Sequence, residues 1–256
     1  ENTSTPEVGL GALTFDPGLG NAVLFGPNLV NAYANDSMWS FADGSWHTIP
    51  LMPVGFDPGA IDFPTMTYDA AAGGILLLQG NYNSSVGNAT SPGGVTESWI
   101  YFGSRWAESG SLPFPYLGGF GSMAYYPASS DVVEFGGLAS SNRTAWVYSQ
   151  GNWTNSSAYG PTYRVGDAMA YDPTLGAVVM FGGDRRVPPD LGYPKNDTWI
   201  YGYPTESLKL AVSEQPSEVC SVASPACGLG INETRITITA TGTRYVSQQL
   251  STTDNG

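Results

Sequence analysis

Residues 168–183 read AMAYDPTLGAVVMFGG. Met169 and Tyr171 alternate with small residues, the period-two pattern of a strand with one buried face. Asp172-Pro173 followed by Gly176 is turn chemistry: Asp caps its own backbone, Pro presets φ and Gly accepts a positive φ. The run 177–181 is apolar on both faces, as expected in the middle of a stacked sheet. Gly182 and Gly183 are expected to end that strand and let the backbone turn closely.

The stretch is one of four. ALTFDPGLGNAVLFGP starts at Ala12, TMTYDAAAGGILLLQG at Thr65 and SMAYYPASSDVVEFGG at Ser122. The leading aromatics Phe15, Tyr68, Tyr125 and Tyr171 are spaced by 53, 57 and 46 residues. Each has an apolar residue ten positions later: Phe25, Leu78, Phe135 and Phe181. A period near 50 is the mark of a propeller or a similar array. A third strand follows each time, at Trp39, Trp99, Trp146 and Trp199, and seven residues after the first three stands Trp46, Trp106 or Trp153. All seven tryptophans thereby read as packing residues.

Four strands per unit, paired glycines after the second and spaced aromatics in the third and fourth resemble the kelch repeat of β-propellers. The expected fold class is all-β: kelch-type blades over residues 1–204, with repeats at about 10–50, 63–110, 119–157 and 166–204. The resemblance implies four-stranded blades around an axis with the first strand innermost. It implies no activity, because propellers host many functions. Between the second and third strands the spacing varies, with 14, 21, 11 and 18 positions from Phe25, Leu78, Phe135 and Phe181 to the next Trp. Variable loops over a rigid scaffold are where binding is expected.

The pattern breaks at both ends. Seven positions after Trp199 stands Glu206 instead of a Trp. Kelch rings usually have six or seven blades, so four repeats imply a longer polypeptide, a partner that completes the ring, or a small ring. After Pro204 the character changes. Leu208, Leu210 and Val212 alternate, as do Ile236, Ile238 and Ala240, and residues 205–256 resemble the opening strands of an immunoglobulin-like sandwich. Cys220 and Cys227, with no His nearby, are expected to form a local disulfide rather than a metal site.

A net charge of −13, with only two lysines (Lys195 and Lys209), argues against a nucleic-acid partner. No apolar run reaches the roughly 18 residues of a membrane span. The chain begins at Glu1 rather than Met, in keeping with a removed leader. Nine N-x-Ser/Thr triplets begin at Asn2, Asn35, Asn83, Asn88, Asn142, Asn152, Asn155, Asn196 and Asn232. Composition alone gives two to three, so N-glycosylation and an extracellular or cell-surface location are expected. Low charge density under a glycan cover suits acidic surroundings, where carboxylates become neutral.

The search for chemistry is mostly empty. The single histidine, His47, reads as a rim or packing residue and excludes both the copper site of galactose-oxidase-like kelch enzymes and a Ser-His-Asp triad. No phosphate-cradling loop is present, and no cofactor is expected. Asp184, Asp190 and Glu97 sit on variable loops, as paired carboxylates for glycoside hydrolysis or as solvated surface groups. Arg185 and Arg186 are read as an anion receptor or as ion-pair partners of Asp184 and Asp190. Tyr82, Tyr116, Tyr159, Tyr163 and Tyr193 are candidate sugar-stacking residues. The expected function is a binding, adhesion or assembly module rather than an enzyme, with surface proteins, further copies of itself or glycans as partners. The alternative is an extracellular hydrolase or lyase acting on polysaccharide.

Overall fold

A computed structural model of the chain describes residues 5–9, 11–27, 36–51, 64–78, 96–112, 121–137, 145–156, 160–187, 190–202 and 245–248. Among these there is no helix. The first blade consists of β1 (Ala12–Asp16), β2 (Asn21–Pro27), β3 (Asp36–Ala42) and β4 (Ser45–Ile49). The second is β5 (Thr65–Asp69), β6 (Gly74–Leu78), β7 (Thr96–Tyr101) and β8 (Trp106–Leu112). The third is β9 (Gly121–Tyr126), β10 (Asp131–Gly136), β11 (Trp146–Ser149) and β12 (Asn152–Asn155). The fourth contains β13 (Val165–Asp172), β14 (Ala177–Val187), β15 (Asp190–Pro194), β16 (Thr198–Tyr201) and β17 (Tyr245–Gln248).

Within each sheet neighbouring strands are antiparallel and follow chain order, except that β15 pairs with β14 beside the path β13-β14-β16-β17. The first strands of successive blades lie against one another, β1 on β5, β5 on β9 and β9 on β13. The architecture is all-β, four blades in a propeller arrangement with the first strand innermost.

The turns work as their residues dictate. Asp16 Oδ1 accepts the N–H groups of Gly18 and Leu19 at 2.8 and 3.3 Å. Asp69 does the same for Ala71 and Ala72 at 2.9 and 3.2 Å, and Asp172 for Thr174 and Leu175 at 2.8 and 3.2 Å. Gly20, Gly73 and Gly176 then take a positive φ (71°, 71° and 64°). The third blade has Tyr126 in place of the Asp, and Ser130 carries the positive φ of 58°.

Register explains the tryptophan spacing. Phe41 pairs with Trp46, Tyr101 with Trp106 and Tyr148 with Trp153 across the third and fourth strands. Their rings lie 5.1, 5.2 and 5.2 Å apart. The fourth blade takes its outer strand from far along the chain: Tyr245 stands opposite Tyr201, at the register position of the three tryptophans. Residues 203–244 lie outside the described residues, and with them Cys220, Cys227 and most of the segment read as immunoglobulin-like.

One expectation is corrected. Gly182 and Gly183 do not end the second strand of the fourth blade, because β14 runs on to Val187 and folds back as a hairpin with β15. The glycines keep their positive φ, but backbone bonds hold them in place: Lys195 N donates to Gly183 O at 2.7 Å and Gly182 N to Asp197 O at 3.3 Å.

Three apolar cores lie between successive blades. Val23, Phe25 and Met38 meet Met66, Leu77 and Tyr101; Leu76, Leu78 and Ile100 meet Met123, Val132 and Tyr148; Ala124, Val133, Phe135 and Val147 meet Val178, Met180 and Tyr201. Each fully buried aliphatic or aromatic side chain contributes about 1.5–3 kcal/mol, so blade stacking is the main source of cohesion.

Candidate active site

A group of buried polar residues lies at the seam between the third and fourth blades. β13 alternates buried Val165 and Asp167 with exposed Gly166 and Ala168, which turns Asp167 toward the third blade. There the Ser122 hydroxyl donates a hydrogen bond to Asp167 Oδ2. Gly136 makes room, since a Cβ on it would come within 2.5 Å of Asp167 Oδ1. Asp167 Oδ1 itself has no hydrogen-bond partner among the described residues. Withdrawal from water raises the Asp167 pKa to about 7, against the Ser122 bond, its own backbone N–H and the Arg164 charge, which all lower it.

Three residues upstream, Arg164 is completely buried. Its Nη1 and Nη2 donate to Asp197 Oδ1 and Oδ2 at 2.6 and 2.9 Å, Nη1 to Gly182 O at 2.9 Å and Nε to Thr162 O at 3.1 Å. Trp199 Nε1 donates to Asp197 Oδ2 at 2.6 Å. The Arg164 bonds hold the Asp197 carboxyl below the usual carboxylate range, against partial burial that raises it. This clamp ties the entry of β13 to the entry of β16. Glu134, buried at the repeat position held by Leu24, Leu77 and Met180 elsewhere, lies outside this seam: it alternates with Val133 and Phe135 and shares the face of Val132, toward the second blade.

Of the residues singled out from the sequence, two join this seam. Asp184 is half-buried on β14 opposite Val165, and the register puts Asp167 opposite Gly182, so Asp167 and Asp184 are diagonal neighbours. Tyr163 lies beside Asp184: burial first, and the Asp184 charge second, push its phenol upward. Asp190 is carried away, because it pairs with Val187 at the far end of the hairpin. Glu97 belongs to another blade, on β7 opposite Ser111. The backbones of Arg185, Arg186 and Tyr193 run in this hairpin; their side chains, and Tyr82, Tyr116 and Tyr159 altogether, lie outside the described residues. His47 is exposed on outer strand β4. Asn152, Asn155 and Asn196 are exposed, and the other six sequons lie outside the described residues.

Asp167, Ser122, Arg164 and Asp197 escape a reading that looks for chemistry on loops. A signal for Asp167 was present: four residues before the leading aromatic, the other repeats carry Gly11, Pro64 and Gly121. A carboxyl at a position that is otherwise uncharged marks a departure the fold does not require.

No family matches the sequence, and no curated protein does. Among solved structures the chain is similar to YjhT, with a TM-score of 0.48 and 12% identity over 76% of this chain and 66% of that one. It is similar to an exo-β-1,3-galactanase of Phanerochaete chrysosporium bound to β-1,3-galactotriose, with a TM-score of 0.45 and 10% identity over 76% and 46% of the two chains. It is also similar to the SapL1 lectin in complex with α-methyl fucoside, at 0.43 and 11% over 77% and 61%. The chain thus spans between 46% and 66% of the length of these three structures. The expectation that the chain is not an enzyme is corrected: galactanases are among the structures that resemble it.

Proposed function

We propose that this chain is an exported, glycosylated kelch-type propeller that acts on polysaccharide, cleaving a glycosidic bond with Asp167 and Asp184. The observation that carries the reading is the pair itself: one buried carboxyl and one half-buried carboxyl, diagonal across β13 and β14. The register puts both side chains on one face of the sheet, two positions apart along the ladder, and a pair of carboxyl groups flanking the scissile bond is what glycoside hydrolysis uses. Asp167, its pKa raised by burial to about 7, donates its proton to the glycosidic oxygen as the C1–O bond breaks. Asp184 takes a proton from the water that attacks C1. Tyr163, beside Asp184, offers a ring for sugar stacking. The nine sequons, three of them on exposed residues, support export and glycan cover.

The test is release of reducing sugar from a panel of polysaccharides that includes β-1,3-galactan. Turnover of one member, reduced about 100-fold or more by Asp167→Asn and by Asp184→Asn, is the expected result. Binding of a panel member without turnover would replace hydrolysis by a lectin-like role.

A further inference from the structure

Each blade has two faces, and the repeat shows what each face requires. The front face carries the residue two before the leading aromatic, that aromatic itself, and the aromatic of the third strand. In the second blade these are Met66, Tyr68 and Tyr101, which pack on Val23, Phe25 and Met38 of the first blade. The third and fourth blades repeat the arrangement against the second and third. The back face carries the apolar residue of the second strand, namely Phe25, Leu78 or Phe135.

Two faces remain uncovered. On the front of the first blade, Leu13 is 59% exposed where its counterpart Met66 is 6%, and Phe41 is 42% exposed where Tyr101 is 3%. Phe15 is exposed with them. On the back of the fourth blade, Phe181 is 54% exposed where Phe25 is fully buried, and Ala168 and Ala170 flank it, also exposed. β1 and β13 do not touch, although every successive pair of inner strands between them does. Large apolar side chains grouped on one sheet face mark an interface.

We infer that the back face of the fourth blade in one copy packs on the front face of the first blade in a second copy. The occupant follows from the repeat: a front face is always covered by a back face, and the back face left free among the described blades is that of the fourth. Ala168, Ala170 and Phe181 occupy the repeat positions of Ser122, Ala124 and Phe135, so the uncovered surfaces are matched in the same register as the three buried seams. Two chains related by a two-fold axis make the contact twice and close eight blades around one axis, within the four to eight that propellers adopt.

The deglycosylated 256-residue chain in light scattering is expected to show twice its 27.0 kDa mass. Phe15→Asp and, separately, Ala170→Asp are expected to weaken the association at least tenfold with an unchanged far-ultraviolet spectrum. Chains carrying only Phe15→Cys and only Ala170→Cys, mixed and oxidised, are expected to form a disulfide between residues 15 and 170, located by peptide mapping. A monomeric or open-ended wild type, or a dimer that both Asp variants leave intact, overturns the inference. So does a single chain with both Cys substitutions that closes the disulfide within itself.

Discussion

Arg164 and Asp197, 33 residues apart in sequence, meet as a two-pronged ion pair with nitrogen–oxygen distances of 2.6 and 2.9 Å. The guanidinium is wholly buried, and the carboxylate side chain is 25% exposed. Removing the carboxylate would strand a cation away from water, which costs about 3–5 kcal/mol for a buried pair. Asp197→Ala is therefore expected to lower the unfolding free energy by roughly 3 kcal/mol, as a shifted urea midpoint. A loss under ~0.5 kcal/mol would show that the pair behaves as a surface bridge.

Ser130 holds a left-handed backbone where the other three repeats have glycine. A non-glycine residue there is strained, and the third blade lacks the Asp that caps the turn elsewhere. Ser130→Gly is expected to raise stability by about 0.5–1 kcal/mol, measured as the thermal midpoint. A lower midpoint would mean that the serine makes a compensating contact.

Trp153 reaches across the seam between the second and third blades, its Nε1 donating to Ser98 Oγ at 2.9 Å. Ser98 Oγ in turn donates to Ser109 O, and the Ser109 hydroxyl is bonded to Tyr148 OH. Ser98→Ala leaves the buried indole N–H unpaired, at about 1–3 kcal/mol. Denaturant titration of the variant checks this, and an unchanged midpoint would contradict it.

Two carboxyls set opposing trends with pH. Asp167 has a folded pKa of about 7, above its ordinary 3.8, so the folded state holds its proton more tightly than the unfolded one. Its contribution is fully present in acid and is lost as pH rises toward 7, by on the order of 4 kcal/mol. Asp197 is shifted the other way, so its contribution is present above the ordinary carboxylate range and disappears as pH falls through its lowered value. Stability is expected to peak in mildly acidic solution, in line with the acidic surroundings read from composition. Asp167→Asn should flatten the decline toward neutral pH. A wild-type urea midpoint that rises steadily from mild acid to pH 8 would contradict this assignment.

The parts legible in the sequence were those that close locally. Each blade's inner hairpin closes within at most 20 residues (Val165 to Asp184 in the fourth), so the Asp16, Asp69 and Asp172 turns and the alternation before each aromatic reveal it directly. The Trp46, Trp106 and Trp153 spacing is a hairpin register and is equally local. Pairings between distant segments were hidden. Nothing near Tyr201 announces that Tyr245 will stand opposite it; the sequence shows only Glu206 where a second Trp is expected. Arg164 and Asp197 were hidden for the same reason. Asp167 was hidden differently: it lies on a strand, whereas candidate carboxylates were sought on loops, and only comparison with Gly11, Pro64 and Gly121 exposes it.

The most direct test of the Asp167 and Asp184 assignment is the pH dependence of turnover on whichever polysaccharide the chain cleaves, for wild type and Asp167→Asn. The wild-type rate is expected to fall as pH rises through about 7, where Asp167 loses its proton, and the variant to be slowed at least 100-fold. An Asp167→Asn chain with the wild-type rate and the same pH limb would contradict it.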